Sequence, residues 1–104
     1  MEMEVKEVTP VEVLEKLKNG EDIQLIDVRE VEEWNEGHIA QAKLIPMSSL
    51  PARMDELDKE KPIIMVCRSG ARSHRTSEYL LQYGFDVANM VGGMLAWPGD
   101  IEKE

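Results

Sequence analysis

Short apolar runs alternate with stretches of helical periodicity along this chain. The apolar runs span Ile23–Val28, Leu44–Pro46, Ile63–Val66 and Phe85–Val91, and each of them predicts a strand. Between these runs, apolar residues recur every three or four positions, as they do on one face of an amphipathic helix. Strands that alternate with helices predict an α/β domain with a mostly parallel sheet.

The first predicted helix begins with a capping box. Thr9 takes the N-cap position, Pro10 the first helical position, and Glu12 reaches back to the cap. The helix ends at Asn19–Gly20, and its apolar face carries Val11, Leu14 and Leu17. It is the clearest helix signal in the chain.

Two further helices are predicted, one between the first and second apolar runs and one between the second and third. The acidic stretch Glu30–Glu36 predicts a short helix that Gly37 closes, with carboxylates in its first turn. Ser48 or Ser49 is expected to cap the next helix, whose apolar face carries Leu50, Met54 and Leu57.

Two more helical segments are predicted in the last third of the chain. One follows the run Ile63–Val66 and ends at Gly84, with a face formed by Thr76, Tyr79, Leu80 and Tyr83. The other is a short segment that begins after the turn Gly92–Gly93 and contains Met94, Leu95 and Trp97.

Composition narrows the class of protein. The 104 residues fit one domain, and 21 acidic residues against 12 basic ones give a net charge of −9 at pH 7. Such a surface repels phosphate backbones, so nucleic acid is not expected as a partner. The acidic start Met1–Glu4 is followed by no apolar segment, and no run approaches the ~20 apolar residues of a membrane span. A cytoplasmic protein without a membrane partner is expected.

The only cysteine, Cys67, comes directly after the run Ile63–Val66. A single cysteine forms no intramolecular disulfide and leaves no cluster of metal ligands, so the sequence predicts neither a metal nor another cofactor. On its position alone, a cysteine after an apolar strand is most often a small buried hydrophobe.

The residues after Cys67 change that interpretation. They form a loop that contains Gly70 and leads into a helix, without an acidic residue but with Arg68, Arg72, His74 and Arg75. Cationic neighbours and a helix N-terminus lower the pKa of a thiol below its free value of about 8.5, and the thiolate is the nucleophile. We therefore expect Cys67 to be a reactive nucleophile.

Three segments of the chain resemble those of the single-domain rhodaneses, a family of sulfurtransferases. They are residues 67–73 (CRSGARS), 26–39 (IDVREVEEWNEGHI) and 91–97 (VGGMLAW), in the order and at the spacing of that family. The resemblance implies a three-layer α/β/α sandwich around a mostly parallel sheet, with one domain spanning 1–104. It also implies that Cys67 takes sulfur from a small anionic donor such as thiosulfate, holds it as a persulfide, and passes it to cyanide in vitro or to a cellular thiol or protein acceptor.

The loop residues and the resemblance together assign roles around Cys67. Backbone N–H groups are expected to hold the terminal sulfur, and the substrate-binding residues are Arg68, Ser69, Gly70, Ala71 and Arg72. Arg68 is expected to help bind the anionic donor, and Arg72 to brace the loop or share that role. Four residues are expected to contact and support the substrate-binding residues without touching the substrate: Asp27, Arg29, Ser73 and His74.

Other polar residues are given structural interpretations. The resemblance implies that Asp27 and Arg29 form an ion pair that ties loops together. His74 is expected to tune the site. His38 is interpreted as a hydrogen-bonded turn residue, because it has no ligand-spaced partner. A solvated helix face is expected for Glu32, Glu33 and Glu36.

Loop size separates sulfur transfer from phosphate chemistry. From Cys67 to Arg72 the loop has six residues, CX4R, whereas related cysteine phosphatases have CX5R, whose wider ring accommodates a tetrahedral phosphate. The six-residue loop favours sulfur transfer and leaves a phosphatase or arsenate reductase as the first alternative. The second alternative is a persulfide relay or binding module whose loop serves protein partners.

Overall fold

Five parallel strands form the centre of the computed structural model, which describes residues 4–104. Met1–Met3, in the acidic start of the chain, lie outside the described residues. The strands are β1 (Lys6–Val8), β2 (Gln24–Asp27), β3 (Lys43–Leu44), β4 (Ile63–Val66) and β5 (Val87–Met90). Their order in the sheet is β1-β5-β4-β2-β3, and every pairing is parallel. The predicted α/β class is confirmed.

Strand β1 is not predicted by the apolar pattern. Lys6 and Glu7 make two of its three residues charged and exposed, and Val8 is only partly buried. The strand pairs with β5 alone, at the edge of the sheet. Edge strands commonly carry charged residues, which protect the open ladder from pairing with other chains. The apolar signal of this strand is therefore too weak to detect.

Helix α1 (Pro10–Lys18) begins as predicted. The Thr9 hydroxyl accepts a hydrogen bond from the Glu12 N–H at 3.1 Å, and the Glu12 carboxylate accepts one from the Thr9 N–H at 2.9 Å. Helices α2 (Val31–Glu36) and α3 (Ala71–Gln82) lie in two other predicted segments. Tyr83, predicted on the same face as Tyr79, comes directly after α3; its ring lies 5.1 Å from the Tyr79 ring, and the residue is 49% exposed.

The segment expected to be a helix capped by Ser48 or Ser49 is not α-helical. Two 3-10 segments, Met47–Ser49 and Pro51–Glu56, occupy it, and neither begins with a side-chain cap. Pro51 has no N–H with which to continue a helical hydrogen-bond ladder across the segment. The apolar spacing nevertheless predicts the packing correctly, because the segment buries Leu50 and Leu57.

The sheet separates two apolar cores, one on each face. Alternate residues of a strand point to opposite faces. Accordingly, Ile63 and Met65 lie in one core, and Ile64 and Val66 lie in the other. The first core is covered by α3 and the 3-10 segments, and the second by α1 and the chain after β5. This arrangement confirms the predicted three-layer sandwich.

Cys67 follows β4, the middle strand of the sheet. Because all the strands are parallel, the carboxyl ends of β2, β4 and β5 meet at one edge, where α/β proteins commonly place their sites. Asp27 ends β2 at this edge, and α3 begins there at Ala71. The chemistry-bearing residues of the sequence therefore converge on one side of the molecule.

Two absences hold for residues 4–104. No helix there is both long enough and apolar enough to span a membrane. No group of three or more potential metal-binding side chains lies together in that range either.

Candidate active site

The loop between β4 and α3 wraps its backbone around the Cys67 sulfur. The Gly70 N–H donates a hydrogen bond to Sγ at 3.0 Å. Gly70 has a φ of 103°, which glycine adopts readily and other residues rarely adopt. Helix α3 begins directly after it, and the first N–H groups of a helix have no intrahelical partner. Those of Ala71 and Arg72 donate to no group within residues 4–104, so they are available to an anion.

Ser73 adds a side-chain donor to this backbone cradle. Its hydroxyl oxygen lies 3.2 Å from the Cys67 sulfur. Cys67 is only 1% exposed, and this burial raises the pKa of its thiol. Hydrogen bonds from the Ser73 hydroxyl and from the N–H groups of Ser73, Gly70 and Ser69 outweigh burial and bring the pKa of the thiol below its ordinary value. The cradle therefore favours the thiolate, which is the nucleophilic form.

The turn after β5 fixes the outer side of the loop. The Met94 N–H donates to the Cys67 carbonyl at 2.9 Å, and the Leu95 N–H donates to the Arg68 carbonyl at 3.0 Å. Gly93 allows this close approach, because a Cβ at its position would lie 2.5 Å from both carbonyl oxygens. The turn after β5 thus holds the loop in place through backbone hydrogen bonds.

A series of charged residues braces the loop from the side of α2. The Arg72 guanidinium donates two hydrogen bonds of 2.7 Å to the Glu33 carboxylate. Arg29 holds α2 in turn, by donating to the carbonyls of Glu33 at 3.3 Å and Gly37 at 2.9 Å. Arg29 is itself paired with Asp27 at 2.8 Å, and both side chains are buried. The expected Asp27–Arg29 pair is thus present, and the Arg72 geometry fits the bracing role.

The interpretation of Glu33 as part of a solvated helix face is wrong. The Glu33 side chain is only 26% exposed, because the Arg72 guanidinium lies against it. Hydrogen bonds from that guanidinium lower the pKa of Glu33 from 4.5 to about 2. Glu33 therefore stays ionised at neutral pH and neutralises one of the cations in the loop.

Three other loop and helix residues face solvent. Arg68 and Ser69 are exposed, and Arg68 forms no salt bridge within residues 4–104. His74 is also exposed, and its Nε2 lies 3.8 Å from the Glu78 carboxylate, one turn along α3. The structure shows no contact between His74 and the Cys67 sulfur, so His74 is not among the groups that bind the sulfur.

His38 has the structural partners expected of a turn residue. It is 2% exposed, and its ring stacks on the Trp34 ring at a centroid distance of 3.6 Å. Its Nδ1 lies 2.9 Å from the Trp34 carbonyl oxygen. These contacts hold the ring against α2.

Sequence reasoning missed three residues that hold the loop: Glu33, Asn89 and Gly93. Asn89 is a single amide within the apolar run of β5, and its alternation with Val87 places it on the same side of the sheet as Cys67. That isolated amide was a usable signal. The glycine pair at the end of β5 was visible too, but the carbonyl groups that require it lie far away in the sequence.

Comparison with known proteins identifies the family. The model of the rhodanese-like domain family matches residues 9–100. The chain belongs to this family. YtwF of Bacillus subtilis (strain 168), provisionally described as a sulfurtransferase, is 46% identical over 102 residues, which cover 98% of this chain and 99% of YtwF.

Two other matches extend the comparison of this rhodanese-like chain. The thiosulfate sulfurtransferase GlpE of Coxiella burnetii is 33% identical over 96 residues, which cover 91% of this chain and 89% of GlpE. The crystal structure of a rhodanese-like domain protein from Staphylococcus aureus matches with a TM-score of 0.90 and 39% identity, over 96% of this chain and 99% of that one. The family and fold implied by the sequence are thus confirmed.

The first prediction compares two glycines of this rhodanese-like chain. Gly93→Ala and Gly84→Ala both place a side chain at positive φ, which costs roughly 1 to 2 kcal/mol. Only Gly93→Ala also meets backbone oxygens, so we expect it to lose a further 1 to 3 kcal/mol or so and to raise the Cys67 thiol pKa. Denaturant unfolding and thiolate absorbance measure both effects. Equal losses and an unchanged thiol pKa would contradict the role of Gly93.

The second prediction concerns acid stability. The pKa of Glu33 is about 2 in the folded chain and its ordinary value is 4.5, so the Glu33–Arg72 pair stabilises fully above about pH 4.5. Its contribution is lost as the pH falls towards 2. In Glu33→Gln, the free energy of unfolding should therefore fall less steeply over that range than in wild type. Glu32→Gln, an exposed change on the same helix, is the control and should keep the wild-type slope. Identical slopes for all three proteins would refute the pair's contribution.

Proposed function

We propose that this protein is a sulfurtransferase that carries sulfur on Cys67. The observation that best supports the proposal is the buried sulfur at the start of α3, which accepts hydrogen bonds from the Gly70 N–H and the Ser73 hydroxyl. A buried cysteine without a chemical role needs no such donors. A thiosulfate-like anion is the proposed donor, by analogy with the thiosulfate sulfurtransferase GlpE of C. burnetii.

The first half-reaction loads the cysteine. The Cys67 thiolate attacks the outer sulfur of thiosulfate, and a bond forms between Sγ and that sulfur. The sulfur–sulfur bond of thiosulfate breaks, and sulfite leaves with the bonding electron pair. Cys67 becomes a persulfide whose negative charge lies on the terminal sulfur. The step transfers no proton, so the exposed His74 has no acid or base role in it.

The loop supplies the groups that stabilise this charge. The unpaired N–H groups of Ala71 and Arg72, at the N-terminus of α3, are the proposed donors to the terminal sulfur. The helix dipole adds positive potential at the same place. Stabilisation of this kind depends on donors that are already in position before the charge develops. The contacts of Gly93 and Glu33 with the loop supply that rigidity.

The second half-reaction returns the cysteine to its starting state. An acceptor such as cyanide or a thiolate attacks the terminal sulfur and forms a new bond to it. The bond between that sulfur and Sγ breaks, and Sγ regains the electron pair as a thiolate. The Ser73 hydroxyl and the Gly70 N–H are placed to stabilise this leaving group.

The two arginines of the loop have different proposed roles. Arg72 is neutralised by Glu33 and acts as a brace. Arg68 is exposed and forms no salt bridge within the described residues, so its guanidinium is the one proposed to attract the anionic donor. A local positive charge matters here because the protein as a whole carries a charge of −9.

The third prediction is that Cys67→Ser abolishes sulfur transfer from thiosulfate to cyanide without unfolding the protein. Wild type should gain the mass of one sulfur atom on exposure to thiosulfate, and the variant should not, because the chain has no other cysteine. Intact mass spectrometry and a thiocyanate assay measure both steps.

The outcomes of that experiment separate the alternatives. Loading without turnover by cyanide would identify a relay that needs a protein acceptor. Turnover that survives in Cys67→Ser would refute the mechanism. Efficient hydrolysis of an aryl phosphate by wild type, with no sulfur loading, would replace sulfur transfer by phosphatase chemistry.

The fourth prediction tests Arg68. Arg68→Ala should raise the KM for thiosulfate, with a loss of binding energy on the order of 1 to 3 kcal/mol, as for a hydrogen bond to a charged group, and a smaller effect on kcat. High ionic strength should raise the wild-type KM in the same direction. Lys18→Ala removes the same charge at the end of α1, on the opposite edge of the sheet, and should leave KM nearly unchanged. Equal KM values for both variants would exclude Arg68 from donor binding.

A further inference from the structure

Asn89 of β5 is a buried amide to which the proposed reaction assigns no role. Its side chain is enclosed, with 3% of the residue exposed. Its Nδ2 donates to the Gly70 carbonyl at 3.1 Å, and its Oδ1 lies 2.5 Å from the Ser73 hydroxyl oxygen. A carbonyl oxygen can only accept a hydrogen bond, so Gly70 fixes which end of the amide faces it. Oδ1 must therefore face Ser73.

This geometry gives the Ser73 hydroxyl one proton and two possible acceptors. One is the Asn89 Oδ1 at 2.5 Å, and the other is the Cys67 sulfur at 3.2 Å. The neighbouring hydroxyls of Thr76 and Ser77 donate to the backbone carbonyl of Ser73, so neither takes part in this choice. Only one of the two acceptors can hold the Ser73 proton at a time.

We propose that Asn89 competes with the Cys67 sulfur for the Ser73 proton and thereby favours the persulfide over the thiolate. The inference rests on the proposed sulfur transfer. A thiolate is charged, and hydrogen bonds to a charged acceptor are stronger than those to a neutral amide oxygen. The hydroxyl therefore turns to the sulfur while Cys67 is a thiolate.

Loading reverses this preference. In the persulfide the negative charge lies on the terminal sulfur, and Sγ becomes a neutral divalent sulfur, which is a weak acceptor. The Ser73 hydroxyl then rotates about its Cβ–Oγ bond and donates to Asn89. The covalent O–H bond of Ser73 stays intact in this change. The hydrogen bond to Asn89 is thus absent in the thiolate and forms once sulfur has been loaded, and Asn89 is a positioning residue that acts through Ser73.

The same competition applies to the neutral thiol, whose sulfur is also a weak acceptor. Removal of the Asn89 Oδ1 should therefore favour the thiolate and lower the pKa of Cys67. If Asn89 had a purely structural role, its removal would change the thiol pKa in the opposite direction. Loss of the Asn89 bond to the Gly70 carbonyl loosens the loop, weakens the Gly70 N–H bond to the sulfur, and raises the thiol pKa.

The charged and titratable groups around the sulfur are unchanged in this comparison. They lie on β2, α2, the loop, α3 and β1, where Glu7 lines the same cleft as Asn89. These groups are Glu7, Asp27, Arg29, Glu33, Arg68, Arg72, His74 and Arg75. None is altered by a substitution at Asn89 or Ser73. If the effects of the two substitutions are not additive, the difference therefore reports on the shared proton.

A double-mutant cycle tests the proposal, with wild type, Asn89→Leu, Ser73→Ala and the double variant. The first readout is the equilibrium constant for sulfur loading, from intact mass in mixtures of thiosulfate and sulfite. With Ser73 present, Asn89→Leu should lower this constant on the order of two- to tenfold more than it does in the Ser73→Ala background. The second readout is the thiol pKa from thiolate absorbance. The shift in thiol pKa caused by Asn89→Leu should be more negative with Ser73 present than in the Ser73→Ala background.

The controls keep the result interpretable. Ser77→Ala removes a buried hydroxyl that also bonds to Ser73, but to its carbonyl, and should leave the loading constant unchanged. Asn89→Ala in the same cycle replaces Asn89→Leu if circular dichroism shows that the leucine variant is unfolded. Equal effects of the Asn89 substitution in both backgrounds, or a Ser73-dependent rise in the thiol pKa, would overturn the proposal. If wild type takes no sulfur from thiosulfate, the proposed function fails, and the pKa cycle alone decides the competition.

Discussion

The balance between burial and hydrogen bonding at the Cys67 sulfur sets the requirements for the rest of the site. Burial alone raises the pKa of the thiol, and only the combined hydrogen bonds bring it below its ordinary value. Two of the donors, the Gly70 N–H and the Ser73 hydroxyl, come from the loop and from α3. Each is useful only at one distance and angle. The structure must therefore hold a six-residue loop rigidly, and it does so from two sides.

Different interactions hold the loop on its two sides. On the β5 side, the Met94 and Leu95 N–H groups donate to the loop carbonyls, and the backbone at Gly93 packs so closely against the loop that a methyl group has no room. On the α2 side, the contact is electrostatic, since Glu33 holds Arg72 and the buried Asp27–Arg29 pair holds α2. The second arrangement also sets the charge of the site. With Arg72 neutralised, Arg68 is left as the exposed cation of the loop on a protein whose net charge is −9.

The sequence predicts the parts of this arrangement that depend on local pattern. The capping box at Thr9, the apolar run before Cys67 and the glycine-containing loop are all local signals, and all three are found in the structure. The parts that sequence reasoning missed depend on contacts between distant residues. Glu33 and Arg72 are 39 positions apart in the sequence, and Asn89 and Ser73 are 16 apart, so no local pattern predicts either contact. The 3-10 segment at Pro51 departs from the predicted helix for another reason: Pro51 lacks the backbone N–H that a continuous helix needs, although the apolar spacing is helical.

The ionisation of Cys67 is the quantity that tests this account most directly. The chain has one cysteine, so the ultraviolet absorbance of its thiolate can be followed against pH without interference from another thiol. A buried sulfur is better measured in this way than by alkylation, which depends on access. If the loop and Ser73 outweigh burial, the titration midpoint of wild type lies below the value of about 8.5 for a free cysteine, and Ser73→Ala raises it. A wild-type midpoint at or above that value, unmoved by Ser73→Ala, would contradict the central claim that hydrogen bonds prepare this sulfur as a nucleophile.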